Sequence, residues 1–195
     1  YENVAVGSEA LDANTTGFVN TAVGHGALGA NTDAGRNTAI GKDALAANTT
    51  GERNTSVGHD SLLANTTGDY NSALGQNALA ANTTATHNTG IGYNALAANT
   101  TGTENTALGA TALDANTTGD YNTAVGRHAL GASNADSNTA LGYYALKTNT
   151  TGSSNTAVGA EALEVNTTGA QCTAIGFRAL EANTTANYNT AIGSQ

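Results

Sequence analysis

The words Asn20-Thr21-Ala22-Val23-Gly24, Asn37-Thr38-Ala39-Ile40-Gly41 and Asn54-Thr55-Ser56-Val57-Gly58 stand 17 residues apart, and the word returns to the end of the 195-residue chain. A short fixed period means one structural unit stacked many times. Units begin at Asn3, Asn20, Asn37, Asn54, Asn71, Asn88, Asn105, Asn122, Asn138, Asn155, Cys172 and Asn189; the last is truncated, leaving eleven full units. The consensus is N-T-A-(V/I/L)-G-x-x-A-L-x-A-N-T-T-G-x-x, numbered here as positions one to seventeen. Unit 122–137 is one residue short, with Ala132-Ser133-Asn134-Ala135-Asp136 where its neighbours carry Ala-Asn-Thr-Thr-Gly and a following residue.

Helical repeats run to about 33 residues or more and leucine-rich units to about 20–29, so this unit is too short for either. It has room for two short strands and two turns. Thr-Ala-Val and Ala-Leu-x-Ala are read as alternating faces, with Gly after the first and Asn-Thr-Thr-Gly after the second, which is strand and turn punctuation. Gly, Asn and Thr around Ala-Leu-x-Ala are poor helix formers. The reading is an all-β chain: a parallel β-roll or β-solenoid of about eleven coils, one repeat domain over 1–195, each coil advancing ~4.8 Å for a rod of ~50–55 Å.

Positions six, seven, ten, sixteen and seventeen hold nearly every charged residue, among them Glu9, Asp12, Lys42, Arg53, His59, Arg127 and Glu181. Ionised groups are rarely buried without partners, so these columns face water. Alternation about position ten then turns the leucine column inward: Leu28, Leu45, Leu62, Leu130 and Leu163 are examples. The second expected core column is position four, with Val23, Ile40, Val57, Val125 and Val158. Alternation points the Ala column at position three away from it. A small outward residue in every coil, beside a core with few aliphatics, predicts a subunit interface. The short unit is expected to lose its residue in the Asn-Thr-Thr-Gly turn and keep both strands in register.

The formal charge is −9, yet only 11% of residues are charged. No basic stripe offers phosphate contacts, so nucleic acid is not an expected partner. No apolar run approaches the ~18 residues of a membrane span, and no signal peptide is visible. The chain starts and stops inside repeats without atypical capping units, which reads as a segment of a longer fibre. The single Cys172 takes the Asn position of its unit, a neutral replacement that precludes an internal disulfide.

Catalysis, cofactor and metal are not expected. A nucleophile needs a base in hydrogen-bond reach, whereas His25 and His59 share a column two coils apart, ~9–10 Å. His87 and His128 stand in other columns. Calcium rolls supply carboxylates in every coil; here Asp and Glu repeat in none. Asn14, Asn48, Asn65, Asn82, Asn99, Asn116, Asn149, Asn166 and Asn183 each open an Asn-Thr-Thr sequon. Glycans ~4.8 Å apart would crowd one another, so the column is read as a hydrogen-bonded Asn ladder. Ice binding would use outward ranks of Thr, but the adjacent Thr at thirteen and fourteen do not share a face. The aromatics Phe18, Tyr70, Tyr93, Tyr121, Tyr143, Tyr144, Phe177 and Tyr188 sit at variable surface positions; they are candidate contact residues or plain turn residues.

The stretches Asn20–Leu28 and Asn155–Leu163 resemble the short-period repeat of trimeric autotransporter adhesin heads, whose coils carry S-V-A-I-G-x-x-A. The unit with Asn-Thr-Thr-Gly also resembles repeats of phage tail-fibre and related bacterial surface proteins. The likeness covers the whole chain; the 17-residue unit is longer than the usual head coil. It implies a left-handed parallel roll with three chains about an axis. The expected function is a structural or adhesive segment of an extracellular fibre, on a cell surface or a virion. It would self-associate as a homotrimer, meet a glycan or protein receptor, and make no membrane contact itself. An ice-binding solenoid and a self-stacking filament subunit are the alternatives.

Overall fold

The structure, a computed structural model, describes residues 2–195. It is a β-solenoid. Twelve strands of three residues, from Val4–Val6 and Thr21–Val23 to Thr173–Ile175 and Thr190–Ile192, form one parallel sheet in sequence order. Each residue pairs with its equivalent one unit on, as in Thr89↔Thr106, Gly90↔Ala107 and Ile91↔Leu108. No helix occurs among the described residues.

The rest of the coil is built from turns, which corrects the expectation of a second strand in Ala-Leu-x-Ala. In coil 88–104, Ala95 N donates to Gly92 O at 3.3 Å, Ala97 N to Asn94 O at 3.3 Å and Asn99 N to Leu96 O at 3.1 Å. The first two turns carry a positive φ at their third residue, 55° at Asn94 and 53° at Leu96, the mark of a type II turn. The intervening N–H groups reach along the stack: Leu96 N to Ala112 O at 3.0 Å and Ala98 N to Asp114 O at 3.1 Å. Gly at position five turns the chain out of the strand with φ of 126–141°. A Cβ there would run into the carbonyl of the next coil's glycine, so this column admits no side chain.

This backbone decides what is inside. Ala at three, Ala at eight and Leu at nine are buried along the stack, with Leu28, Leu45, Leu62, Leu130 and Leu163 at 0% exposure. The left-handed residue at nine interrupts the period-two alternation of an extended chain, so neighbours eight and nine both point inward. The leucine half of the expected core therefore stands. The position-four half does not: Ile40 is 40% and Leu141 46% exposed, and Val23, Val57, Val125 and Val158 are only partly buried. With Ala22 or Ala157 facing in, a three-residue strand must turn its flanking Thr and aliphatic out. Ala107 and Ala157, expected at a subunit interface, are buried within their own coils.

Two asparagines per coil hold the remaining corner. In coil 88–104, Asn88 Nδ2 and Asn99 Nδ2 both donate to Gly102 O, at 2.8 and 2.9 Å. Asn88 Oδ1 accepts the backbone N–H of Asn105 at 3.0 Å. Asn99 Nδ2 also reaches Asn82 Oδ1 at 3.0 Å, and Asn116 Nδ2 continues to Asn99 Oδ1 at 2.8 Å. Asn82, Asn88, Asn99, Asn105 and Asn116 are all fully buried, and no buried side-chain N or O among the described residues lacks a partner. The Asn column at twelve is thus a ladder, as expected.

Unit 122–137 keeps its register, pairing Thr123↔Thr139 and Val125↔Leu141. Its missing residue comes out of the Thr-Thr turn. Elsewhere two successive N–H groups share one backbone carbonyl, as Thr100 N and Thr101 N share Thr117 O. Here Thr117 N and Thr118 N donate to the side-chain Oδ1 of Asn134 at 3.0 and 2.9 Å. Ser133 takes the ladder position and receives Asn149 Nδ2 at 3.3 Å.

Candidate functional surfaces

Three surfaces run along the rod. The first is the outer face of the sheet, where position two presents Thr on ten of the twelve strands and position four presents Val, Ile or Leu. Leu74, Leu108 and Leu141 are 45–49% exposed. Neither column contains a charged residue.

The second surface gathers positions six, seven and ten. His25 lies 3.6 Å from Glu9 and 3.6 Å from Asp43, and Lys42 Nζ stands 2.9 Å from Asp43. The hydrogen bond and charge of Lys42 hold the Asp43 carboxyl below its ordinary value. Farther along, Tyr143 and Tyr144 stack at 3.9 Å, and Lys147 Nζ sits 4.0 Å from the Tyr144 ring centre. The hydrogen bond to Tyr144 pushes the Tyr143 hydroxyl up. Glu161, Glu164 and Glu181 converge within 4.8 Å, but Arg178 Nε is 2.6 Å from Glu161 and Lys147 Nζ 3.6 Å from Glu164. This is a part-buried ion-pair cluster with two cations among three carboxylates.

The third surface carries positions sixteen and seventeen. Arg36 packs over Phe18 at 4.8 Å, Arg53 over Tyr70 at 5.1 Å, and Tyr70 stacks on His87 at 5.0 Å. Both faces of the Tyr70 ring are covered by its neighbours in the column. Tyr121 and Tyr188 on this surface are exposed; Tyr93 and Phe177 stand at position six on the second surface, where Tyr93 is exposed and Phe177 meets Arg178 at 5.0 Å. The aromatics of the sequence reading therefore do not converge on one site. They are spread over two faces.

No two of the four histidines share a contact, and His128 Nδ1 meets Thr111 Oγ1 at 2.7 Å. The hydroxyl-rich interior sites are structural. Ser56 and Ser61 replace the two inward alanines of one coil and bond to each other, with Ser56 Oγ also donating to Ser61 O at 2.8 Å. Their joint appearance in unit 54–70 is the sequence signal for that pair. Cys172 is buried, and its backbone N–H reaches Asn155 Oδ1 at 2.9 Å as an Asn would.

No family model, curated protein or solved structure matches the chain.

Proposed function

We propose that the chain is a rigid structural segment of an extracellular fibre, carried on a cell surface or virion, that spaces and presents weak contacts in several copies. The observation that carries this reading is the coil-to-coil hydrogen bonding, unbroken across twelve strands, beside an uncharged strip of exposed and part-exposed aliphatics. Each coil leans on its neighbours as in other solenoids, so stiffness accumulates with length. Exposed aromatics and ion pairs on the other faces supply repeated low-affinity contacts, which copy number multiplies.

Self-association runs through the Thr and aliphatic strip rather than through position three. The strip is ~50 Å long and its columns lie ~7 Å apart, on the order of 400 Å² of face. That lies within the ~300–600 Å² of the largest patch on an ordinary monomer and is about half of the ~800 Å² that each partner contributes to a standard interface. Flanking side chains at position six or seventeen must join it. The number three rests on the adhesin-head resemblance.

Ice binding gains one supporting observation, the outward Thr column at position two. Against it, position four mixes Val, Ile and Leu, which suits interlocking apolar surfaces better than a flat lattice. Light scattering at micromolar concentration separates the readings. The wild type should be an oligomer, and Leu108→Lys with Leu141→Lys should be a monomer with an unchanged circular dichroism spectrum. A wild-type monomer that shows thermal hysteresis would overturn the fibre reading in favour of ice.

A further inference from the structure

Nine of the ten sequon asparagines occupy position twelve, in the interior ladder; the tenth, Asn54 of Asn54-Thr55-Ser56, is fully buried at position one, its Nδ2 donating to Gly68 O at 2.8 Å. Of the nine, the seven from Asn48 to Asn166 are fully buried. A glycan is joined to Nδ2, the atom that lies deepest in the ladder: in Asn65 it donates to Asn48 Oδ1 at 2.9 Å and to Gly68 O at 3.0 Å. Both amide hydrogens are in use, so a glycosidic bond removes one hydrogen bond and forces a sugar into a filled interior. In the nine at position twelve, the hydroxyl that makes the tripeptide a sequon belongs to position fourteen instead. All nine of those threonines are exposed, and only Thr118 uses its hydroxyl, reaching Asn134 Oδ1 at 3.3 Å.

The chain contains its own control. Asn31-Thr32-Asp33 is not a sequon, yet Asn31 makes the same two bonds, to Asn14 Oδ1 at 2.9 Å and Ala34 O at 3.2 Å. The asparagine serves the ladder whether or not a hydroxyl follows two residues later. Glycan transfer acts on an unfolded chain that displays the tripeptide, so in a glycosylating compartment it competes directly with folding. We propose that N-glycosylation and this fold are mutually exclusive, and that the chain folds where no N-glycan is transferred to it.

The test is secretion of the chain from a eukaryotic host that adds N-glycans. A variant with Ala at the nine position-fourteen threonines, such as Thr50→Ala and Thr101→Ala, together with Ser56→Ala, which restores the usual position-three alanine, abolishes every sequon and keeps every asparagine. Protease-resistant and protease-sensitive fractions are separated and their glycans mapped by mass spectrometry. Wild-type chains with a glycan on any buried sequon asparagine should all be protease-sensitive, and the variant should give a severalfold higher yield of resistant protein. Glycans on any of those buried asparagines in resistant chains would overturn the proposal. So would a wild-type yield of resistant protein equal to the variant's.

Discussion

Replacing Asn99 with Ala removes one rung of the inner ladder, and the structure sets the cost. Three hydrogen bonds disappear: to Asn82 Oδ1 at 3.0 Å, to Gly102 O at 2.9 Å, and from Asn116 Nδ2 at 2.8 Å. The losses are unequal. Gly102 O keeps Asn88 Nδ2 at 2.8 Å, and Asn116 Nδ2 keeps Gly119 O at 3.0 Å. Asn82 Oδ1 and one amide hydrogen of Asn116 are left unpaired in a dry interior, each costing ~1–3 kcal/mol. A loss of about 3–5 kcal/mol is expected, comparable to truncating a core leucine. Thr101→Ala, two residues away on an exposed and unbonded hydroxyl, should stay within about 0.5 kcal/mol of wild type. Chemical denaturation of both variants measures the contrast, and hydrogen exchange locates it: Asn99→Ala should lose protection in coils 71–121 first, because each coil contacts only its neighbours. If Asn99→Ala lies within 1 kcal/mol of Thr101→Ala, the ladder is not what holds this corner.

Gly75→Ala at position five, where φ is 133° and a Cβ would strike the Gly92 carbonyl, should cost about 2–4 kcal/mol, read as a fall in melting temperature. Glu104 is exposed at φ 57°, so Glu104→Asn should gain ~0.5–1 kcal/mol by easing a left-handed backbone; a loss in the same melt would contradict the turn geometry. Burial raises the Asp114 carboxyl above its ordinary 3.8, so the folded chain binds that proton more tightly than the unfolded chain. Its charge therefore weakens the fold at neutral pH, and the penalty vanishes as pH falls through the folded pKa. Asp114→Asn should melt higher than wild type at pH 7, and the gap should close below about pH 3.8.

The period, the parallel stacking, the inward leucines and the Asn ladder were legible in the sequence, because a register and a column survive repetition. The direction of Val23 and Ile40 was not. An aliphatic column does not itself say which way it faces, and alternation about position ten reaches only the leucine column beside it. Leu96 is a non-glycine residue at φ 53°, and composition does not announce such a conformation. Once Leu and both alanine columns fill the interior, the coil has no space for a second large aliphatic, so Ile40 faces out. The surfaces were legible only as columns. Which ring stacks on which cation, as Arg53 on Tyr70, depends on substitutions peculiar to each coil.

The Asn134 amide, by standing in for an absent backbone carbonyl, shows that the array tallies acceptors rather than residues. A deletion that would shift the reading of most folds is absorbed inside one turn, and the phase of every later coil survives, as Val125↔Leu141 demonstrates. Near-identical 17-residue words also invite unequal recombination, which adds or removes whole units. Such an array can change length over generations by 4.8 Å steps and accumulate small copying errors at its Thr-Thr corner without losing the rod, so reach becomes an inherited quantity that selection can adjust separately from surface chemistry.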